Sequence, residues 1–483
     1  MASRSTYWRK ATSPGRSRPT RFGPTFDGRC PPSNTDRDST RQRLCDWRGN
    51  GSVVIEVTDC MKLFELARER RWIPITGYVV YISALTAGYY YNLTFVQLGL
   101  IDLGTRLVGL SPAAVSMAMG VLALLTLFVA VASGVLLDRR GWSTDLYVKF
   151  RLLFGIILVQ LVLTAVAPYV TSPEAFGLWV VVCSVTLGVG IPVTFSFMID
   201  FIPVRDRGYV AAVVAGLSFF VAALYPMEWR IEEFSTVMAA AMVPAVIVLG
   251  GVAFRRTDIV DELARQHETY GTGRFCRSQP IGTTSVTFWA LVVLMFGVFF
   301  IDSLGFLRII ETPTYIYTSW QSPDLSVRLF IAVTHLVGAL FAGVLYTNFD
   351  RKWLFLWVFG LFAFTHLQYV FHLRFGSDGT PPLLMPMFYV LAVSFYTTLN
   401  FALWPDLSTT ETIGTHTALG VGIAGWLATF LSTALALYSE GVELSFLDHL
   451  TYVNALALLF AVSLPVLLYV HRMVELVREG ATS

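Results

Sequence analysis

Twelve separate stretches of roughly twenty residues or more contain no Asp, Glu, Lys or Arg at all, and nothing else in the chain limits its fold as strongly. A helix needs about 20 apolar residues to cross ~30 Å of hydrocarbon, and a chain entering lipid must satisfy every backbone polar group within itself, so each stretch reads as a membrane-spanning helix. They run over 72–101, 107–137, 152–173, 175–199, 208–227 and 234–254, then 278–301, 329–349, 353–373, 379–405, 412–439 and 450–470. The 483 residues are only 14% charged, where a soluble chain carries roughly a quarter, so there is too little charge to coat a water-exposed surface. An ordinary soluble enzyme, a nucleic-acid-binding module and a disordered scaffold are excluded on that ground. The fold class expected is an all-α integral membrane protein of twelve transmembrane helices.

The spans fall into six, a polar stretch, and six more. This divides the chain into an Arg/Ser/Pro-rich extension (1–60), an N-terminal six-helix bundle (61–254), a linker (255–277) and a C-terminal six-helix bundle (278–483). The extension holds 11 basic and 6 acidic residues, with no acid before Asp27. Its composition suits an organelle transit peptide, a disordered cytosolic tail or translated upstream sequence before a start at Met61. Alternate connections collect nineteen Lys and Arg from Lys62 onward on one side and five on the other (Arg106, Arg230, Arg308, Arg328 and Arg374). By the positive-inside rule both termini and the linker face the cytosol, in the plasma membrane. The connection Asp406 to Glu411 breaks that bias, having no Lys or Arg. Of five cysteines, Cys30, Cys45 and Cys60 lie in the extension, with Cys183 in a span and Cys276 in the linker, and no spacing suggests a disulfide framework or a zinc site. Ser111-Pro112 and Pro173 punctuate helix starts, and Pro192, Pro244 and Pro465 lie inside spans.

Between the second and third spans stands Gly134-Val-Leu-Leu-Asp138-Arg139-Arg140-Gly141, and between the eighth and ninth stands Gly343-Val-Leu-Tyr-Thr347-Asn-Phe-Asp350-Arg351-Lys352. Both open Gly-Val-Leu at the same end of the second span of their half. A glycine there permits close helix approach, and a carboxylate at the membrane surface can pair with an Arg or accept from a helix N-terminus. Here the sequence resembles the major facilitator superfamily, whose loop signature reads Gly-x-Leu-x-Asp-Arg-x-Gly-Arg-Lys. Gly134, Leu136, Asp138, Arg139 and Gly141 match it, with Trp142 and Ser143 in place of the two basic residues; Gly343, Leu345, Arg351 and Lys352 match in the second half, with Thr347 where the Asp stands. The resemblance implies two pseudo-symmetric six-helix bundles and transport by alternating access. It further implies a conformational gate containing these residues, with Asp200 and Arg207 as partners in the charge cluster of Asp138. The glycine-proline motif of proton-antiporting drug exporters is missing from the fifth span, which has Gly208, Gly216, Phe219, Phe220 and Val221.

Transporters of this architecture bind near the midplane, between the first helices of each three-helix repeat, here the first, fourth, seventh and tenth spans. Tyr81, Leu85, Tyr89 and Asn92 share one face of the first span, Tyr389, Tyr396, Asn400 and Trp404 one face of the tenth, and Cys183, Thr186, Gly190 and Thr194 form a smaller stripe on the fourth. Tyr89, Asn92, Thr194, Tyr396, Asn400 and Trp404 are therefore the candidate substrate-binding residues, set against the plainer reading of packing aromatics. Asp302, near the position that Asn92 holds in the first half, lies among Phe299, Phe300, Leu304 and Phe306. It is the candidate carrier of a coupling proton, or else a carboxylate at the helix end paired with Arg308. His335 and His366 relay protons or pack. The entry to the eleventh span, with Glu411 and His416, has no assigned role.

These features point to a secondary transporter of a small organic solute, acting as a monomer, with protons as a possible co-substrate and neither cofactor nor metal. A facilitative uniporter or an exporter of amphiphilic compounds is the alternative within the class. A membrane receptor or an embedded transferase is the alternative outside it. No nucleotide-binding loop and no catalytic constellation is visible, so the chain is read as a non-enzyme.

Overall fold

The computed structural model describes residues 62–224, 230–270, 280–311, 315, 317–319, 321–376 and 381–482. The expectations for residues 1–60, for Met61 and for Cys276 lie outside the described residues. Among those described, all regular structure is helical.

The spans become α1 (72–107), α2 (Pro112–Arg139), α3 (Leu146–Val166), α4 (Pro173–Ser196, continuing to Phe201), α5 (Arg207–Leu224), α6 (Ile231–Phe254), α7 (Val286–Glu311), α8 (Leu325–Asn348), α9 (Arg351–Phe375), α10 (Leu384–Leu407), α11 (413–441) and α12 (Phe446–Thr482). Eleven of them are long and apolar enough to cross a membrane. The twelfth is α1, whose α-helical run is interrupted by wider π turns at Asn92–Gly99 and Leu103–Leu107; α11 has a π turn at Gly422–Leu427. Such turns insert a residue into the ladder and recur at functional sites.

Side-chain caps fix where the chain re-enters the membrane. Ser111 accepts from the Ala114 N–H at 3.3 Å and Ser172 from Ala175 at 3.2 Å, each with proline at the first helical position. Asp145 caps α3 and Asp324 caps α8, the latter at 2.8 Å from the Ser326 N–H. The helices continue through Pro192, Pro244 and Pro465, and α10 runs through Pro405, where the sequence reading ended it.

Two findings lie beyond the sequence reading. The linker contains a helix, Asp258–Tyr270, whose Val260 and Leu263 are buried against the bundle. A short helix, Lys62–Arg68, precedes α1, and its first amides, of Lys62 and Leu63, donate to the fully buried Asp206 carboxylate at 3.0 and 3.2 Å.

The two six-helix bundles meet along two helix pairs, α5 with α8 and α2 with α11. Second helices thus pack on fifth helices of the opposite half, and exchanging the halves exchanges the pairs, as a pseudo-twofold axis requires. Glycines set the approach. An added Cβ at Gly134 would lie 2.4 Å from the Gly414 carbonyl, and one at Gly343 would lie 2.6 Å from Ala212 Cβ and 2.9 Å from the Gly208 carbonyl.

Candidate functional site

The end of the molecule that carries Lys62, the linker and the start of α11 is closed by contacts between bundles. The Asp138 carboxylate, at the foot of α2, accepts from the backbone amides of Gly414 (2.9 Å) and Thr415 (2.7 Å) and from the Thr415 hydroxyl (2.6 Å). A carboxylate on the first-turn amides of α11 satisfies donors the helix leaves open and sits at the positive end of its dipole. Gly141, at φ +67°, makes the turn that ends this segment, a conformation that favours glycine. Ser143 extends the contact with a 2.7 Å bond to the Thr410 carbonyl.

On the α5–α8 side the arrangement differs. Thr347 stands at the Asp138-equivalent place, and its hydroxyl would lie 2.5 Å from a Cβ on Gly208, at the start of α5. The charge there comes from Asp406, near the end of α10. Its Oδ1 accepts from Arg207 Nη1 at 3.0 Å, and its Oδ2 from the Tyr346 hydroxyl at 2.7 Å and Arg351 Nη2 at 3.4 Å. Arg207 also donates to the Pro405 carbonyl at 3.4 Å. Both Arg207 and Asp406 are buried.

The single cluster expected of Asp138, Asp200 and Arg207 is therefore three separate contacts. Asp200 pairs with Lys149 of α3, a fully buried lysine within the same bundle that also lies over the Phe197 ring. Of the other expected gate residues, Arg139 lies with Val135, Asp138, Glu411 and Thr415 around a shallow surface depression. Lys352 is exposed and bonds Asp350 at 2.8 Å. Asp406, Lys149, Gly208 and Gly414 were missed. Asp406 was findable, since it holds in the second half nearly the place of Asp200 in the first.

The second site lies deeper, between α1, α7 and α10. Tyr389 and Tyr396 both donate to the Asp302 carboxylate, the latter at 2.5 Å, and Tyr389 also reaches the Asp302 carbonyl at 3.0 Å. The Asp302 side chain itself stays partly accessible. Phe299 meets Tyr396 edge-on at 4.7 Å and Phe306 stacks on Tyr389 at 6.3 Å. Tyr89 crosses from the other bundle, near Thr397 and within electrostatic reach of Asp302, wedged between Phe219 (5.7 Å) and Phe401 (4.9 Å). Among the described residues the partners of Asp302 are thus the two tyrosines, and the expected pairing with Arg308 falls on a side chain outside the described residues.

The remaining expected residues divide. Asn92 opens the π turn of α1 with its buried Oδ1 unpartnered, and Thr194 is half-buried on α4. Asn400 and Trp404 meet, the indole N–H donating to the amide oxygen at 2.8 Å, and the Trp404 ring packs on Gly420 and Phe288. Tyr81 and Leu85 are buried in the core. His335 bonds Ser394 at 2.9 Å and stacks on Phe219 across the bundle boundary at 4.2 Å, while His366 donates to the Phe362 carbonyl at 2.8 Å.

Residues 6–226 match the sequence model of the Major Facilitator Superfamily. Among curated proteins none matches the sequence. The fold is similar to that of the proton:xylose symporter XylE of E. coli, with TM-score 0.55 and 14% identity over 80% of this chain and 94% of that one. It is equally similar to the human organic anion transporter MFSD10, with TM-score 0.55 and 14% identity over 81% and 99%. A bacterial homologue of the iron transporter ferroportin follows at TM-score 0.54 and 14% identity over 80% and 98%. With eleven apolar spanning helices, a twelfth in α1, and the exchange of α2–α11 with α5–α8, the chain is an integral multi-pass membrane protein with the fold of major facilitator transporters, and residues 6–226 carry that superfamily's sequence pattern.

Proposed function

We propose that the protein is a secondary transporter that moves a small organic solute by alternating access, with protons coupled through Asp302. The bundles 61–254 and 278–483 rock about the cleft, joined by the linker 255–277, and the chain works as a monomer in the plasma membrane with both termini cytosolic. One observation carries the reading. Asp302 is an ionisable group held by two tyrosine hydroxyls at the inner edge of a cleft between bundles, while the opposite bundle reaches it through Tyr89. A carboxylate at that depth needs a compensating proton or charge, so its occupancy responds to what enters the cleft.

The closed end supplies the second half of the cycle. Asp138 on the α11 amides and Arg207 on Asp406 span the two bundles, so both contacts must break for the cleft to open at that end. This corresponds to a state with the cytosolic side sealed. The kinship supports transport as the activity, because the similar structures are those of a sugar symporter, an organic anion transporter and an iron transporter homologue.

The test is reconstitution into liposomes and a solute panel measured with and without a pH gradient. Gradient-driven accumulation that is lost in Asp302→Asn is the expected result. Flux that ignores both the gradient and the substitution overturns the coupling.

A further inference from the structure

We infer that the cleft selects an organic cation: a solute with an ammonium or comparable monovalent positive centre on an apolar or aromatic body, whose charge is held at Asp302. The inference rests on the transporter reading for its physiological meaning, but its physical basis is separate.

The first part of that basis is charge. Asp302 bonds two neutral donors, Tyr389 and Tyr396, and neither compensates a carboxylate charge. Two buried basic side chains have carboxylate partners of their own. Lys149 is bound to Asp200, Arg207 to Asp406, and both pairs lie toward the closed end. Arg328 is in the first turn of α8, toward the opposite membrane surface. In the first half the position of Asp302 is held by Asn92, which is neutral. Among the described residues, then, the groups that bond the Asp302 carboxylate are neutral, and a negative centre held by neutral donors repels an anion and draws a cation.

The second part is the wall. Rings of Phe299, Phe306, Tyr389 and Tyr396 surround the carboxylate, with Tyr89 closing from the other bundle. Ring faces carry negative quadrupole density, which favours a desolvated cation over a neutral or anionic group of the same shape. Phe299 and Phe306 remain partly accessible, so their surface is open to a bound molecule. A polyhydroxylated solute is served poorly by such a wall of rings, which offers it few hydrogen-bonding groups.

A proton and a cation compete for the same carboxylate, so cation affinity falls as pH drops. Other titratable groups facing this region are Tyr89 on α1, Tyr389 and Tyr396 on α10, His366 on α9 and His449 on α12. His366 lies against Gly305 and 6.0 Å from Tyr389, and His449 bonds the Leu304 carbonyl at 2.9 Å. Substituting Asp302 separates its titration from theirs.

The experiment measures binding of radiolabelled tetraphenylphosphonium to the purified full-length protein in detergent, with tetraphenylborate, its anionic counterpart of the same shape, as competitor. Saturable cation binding is expected, with the borate at least tenfold weaker, and this comparison needs no variant. Asp302→Asn weakens the cation at least tenfold and removes the pH dependence, while Asp302→Glu, which keeps the charge, stays within a few-fold. Equal affinity for both ions, or an Asp302→Asn protein that melts like the wild type and binds the cation unchanged, overturns the inference. The two readings fail separately. Protein that binds the phosphonium as described but moves no panel solute in liposomes refutes transport and leaves the cation site standing; protein that moves D-xylose but binds no phosphonium refutes the cation site alone.

Discussion

Replacing Asp406 by asparagine tests whether the ion pair across the bundles holds the terminus-bearing end shut. Oδ1 of Asp406 accepts from Arg207 at 3.0 Å, and Oδ2 accepts from Tyr346 at 2.7 Å and Arg351 at 3.4 Å. An amide offers a single acceptor oxygen, so whichever way it sits its NH2 group faces a donor, and the fully buried Arg207 loses its countercharge. Breaking one side of a buried pair costs about 3–5 kcal/mol. Part of that falls on the C-terminal bundle alone, because Tyr346, Arg351 and Asp406 all belong to it. The Arg207 link, a hydrogen bond between charged groups, accounts for about 1.5–3 kcal/mol and is made only while this end is closed. At 1.4 kcal/mol per tenfold, the ratio of open to closed molecules rises by roughly 10- to 150-fold. Spin labels at Thr144 and Asp350, exposed positions on the two bundles, report the separation by double electron–electron resonance. A longer-distance population should grow in Asp406→Asn and in Arg207→Gln, and the double variant should be no more open than either single. An unchanged distance distribution in both single variants, in protein that still melts cooperatively, refutes the gate.

Gly134→Ala should lower the melting temperature and widen the same spin-label distance, since its Cβ would lie 2.4 Å from the Gly414 carbonyl and 2.8 Å from Ala418 Cβ, an overpacking of about 1–3 kcal/mol. Gly155→Ala, with nothing within 4 Å, is the matched control and should melt like the wild type. Burial alone raises the Glu65 carboxyl, but hydrogen bonds from Lys62 (2.8 Å) and Arg205 (2.9 Å) hold it below its ordinary value of 4.5. Its stabilisation of the Lys62–Arg68 helix is thus complete above that pH and lost below it, so Glu65→Gln should speed amide exchange in that helix at neutral pH and match the wild type in acid.

The architecture was legible because lipid leaves few options. Uncharged runs long enough to span, alternating basic connections and the two Gly-Val-Leu copies are all one-dimensional signals, and they suffice for twelve helices in two halves. Contacts between halves were legible only where one partner sat in a motif. Gly134 and Asp138 stood out, but their partners Gly414 and Thr415 are an ordinary glycine and threonine, made important by the crossing of α2 with α11. Asn400 and Trp404 show how one spacing serves two ends: four residues put them on one helical face, and the same spacing lets the indole N–H reach the amide oxygen. The linker helix was overlooked because its buried apolar residues, Val260 and Leu263 among the described side chains, are few within a strongly charged stretch.

The two halves make corresponding contacts between bundles with the charge moved. On one side the carboxylate is at Asp138 on α2 and meets the amides of α11; on the other, Thr347 occupies that place on α8, and the carboxylate has moved to Asp406 on α10, meeting Arg207 at the start of α5. If the halves are physically equivalent, the charge can be moved back. Thr347 Oγ1 already sits 2.5 Å from where a Gly208 Cβ would be, so a carboxylate at this position lies beside the first turn of α5 and next to Arg207. Thr347→Asp should therefore supply the countercharge that Asp406→Asn removes, worth ~1 kcal/mol from the helix terminus and more from Arg207. The double variant Thr347→Asp/Asp406→Asn should return most of the spin-label population to the short distance, while Thr347→Asp alone leaves it there. A double variant as open as Asp406→Asn would mean that the second-half loop positions its neighbours for packing only, and that closure on the α5–α8 side depends on Asp406 where it stands.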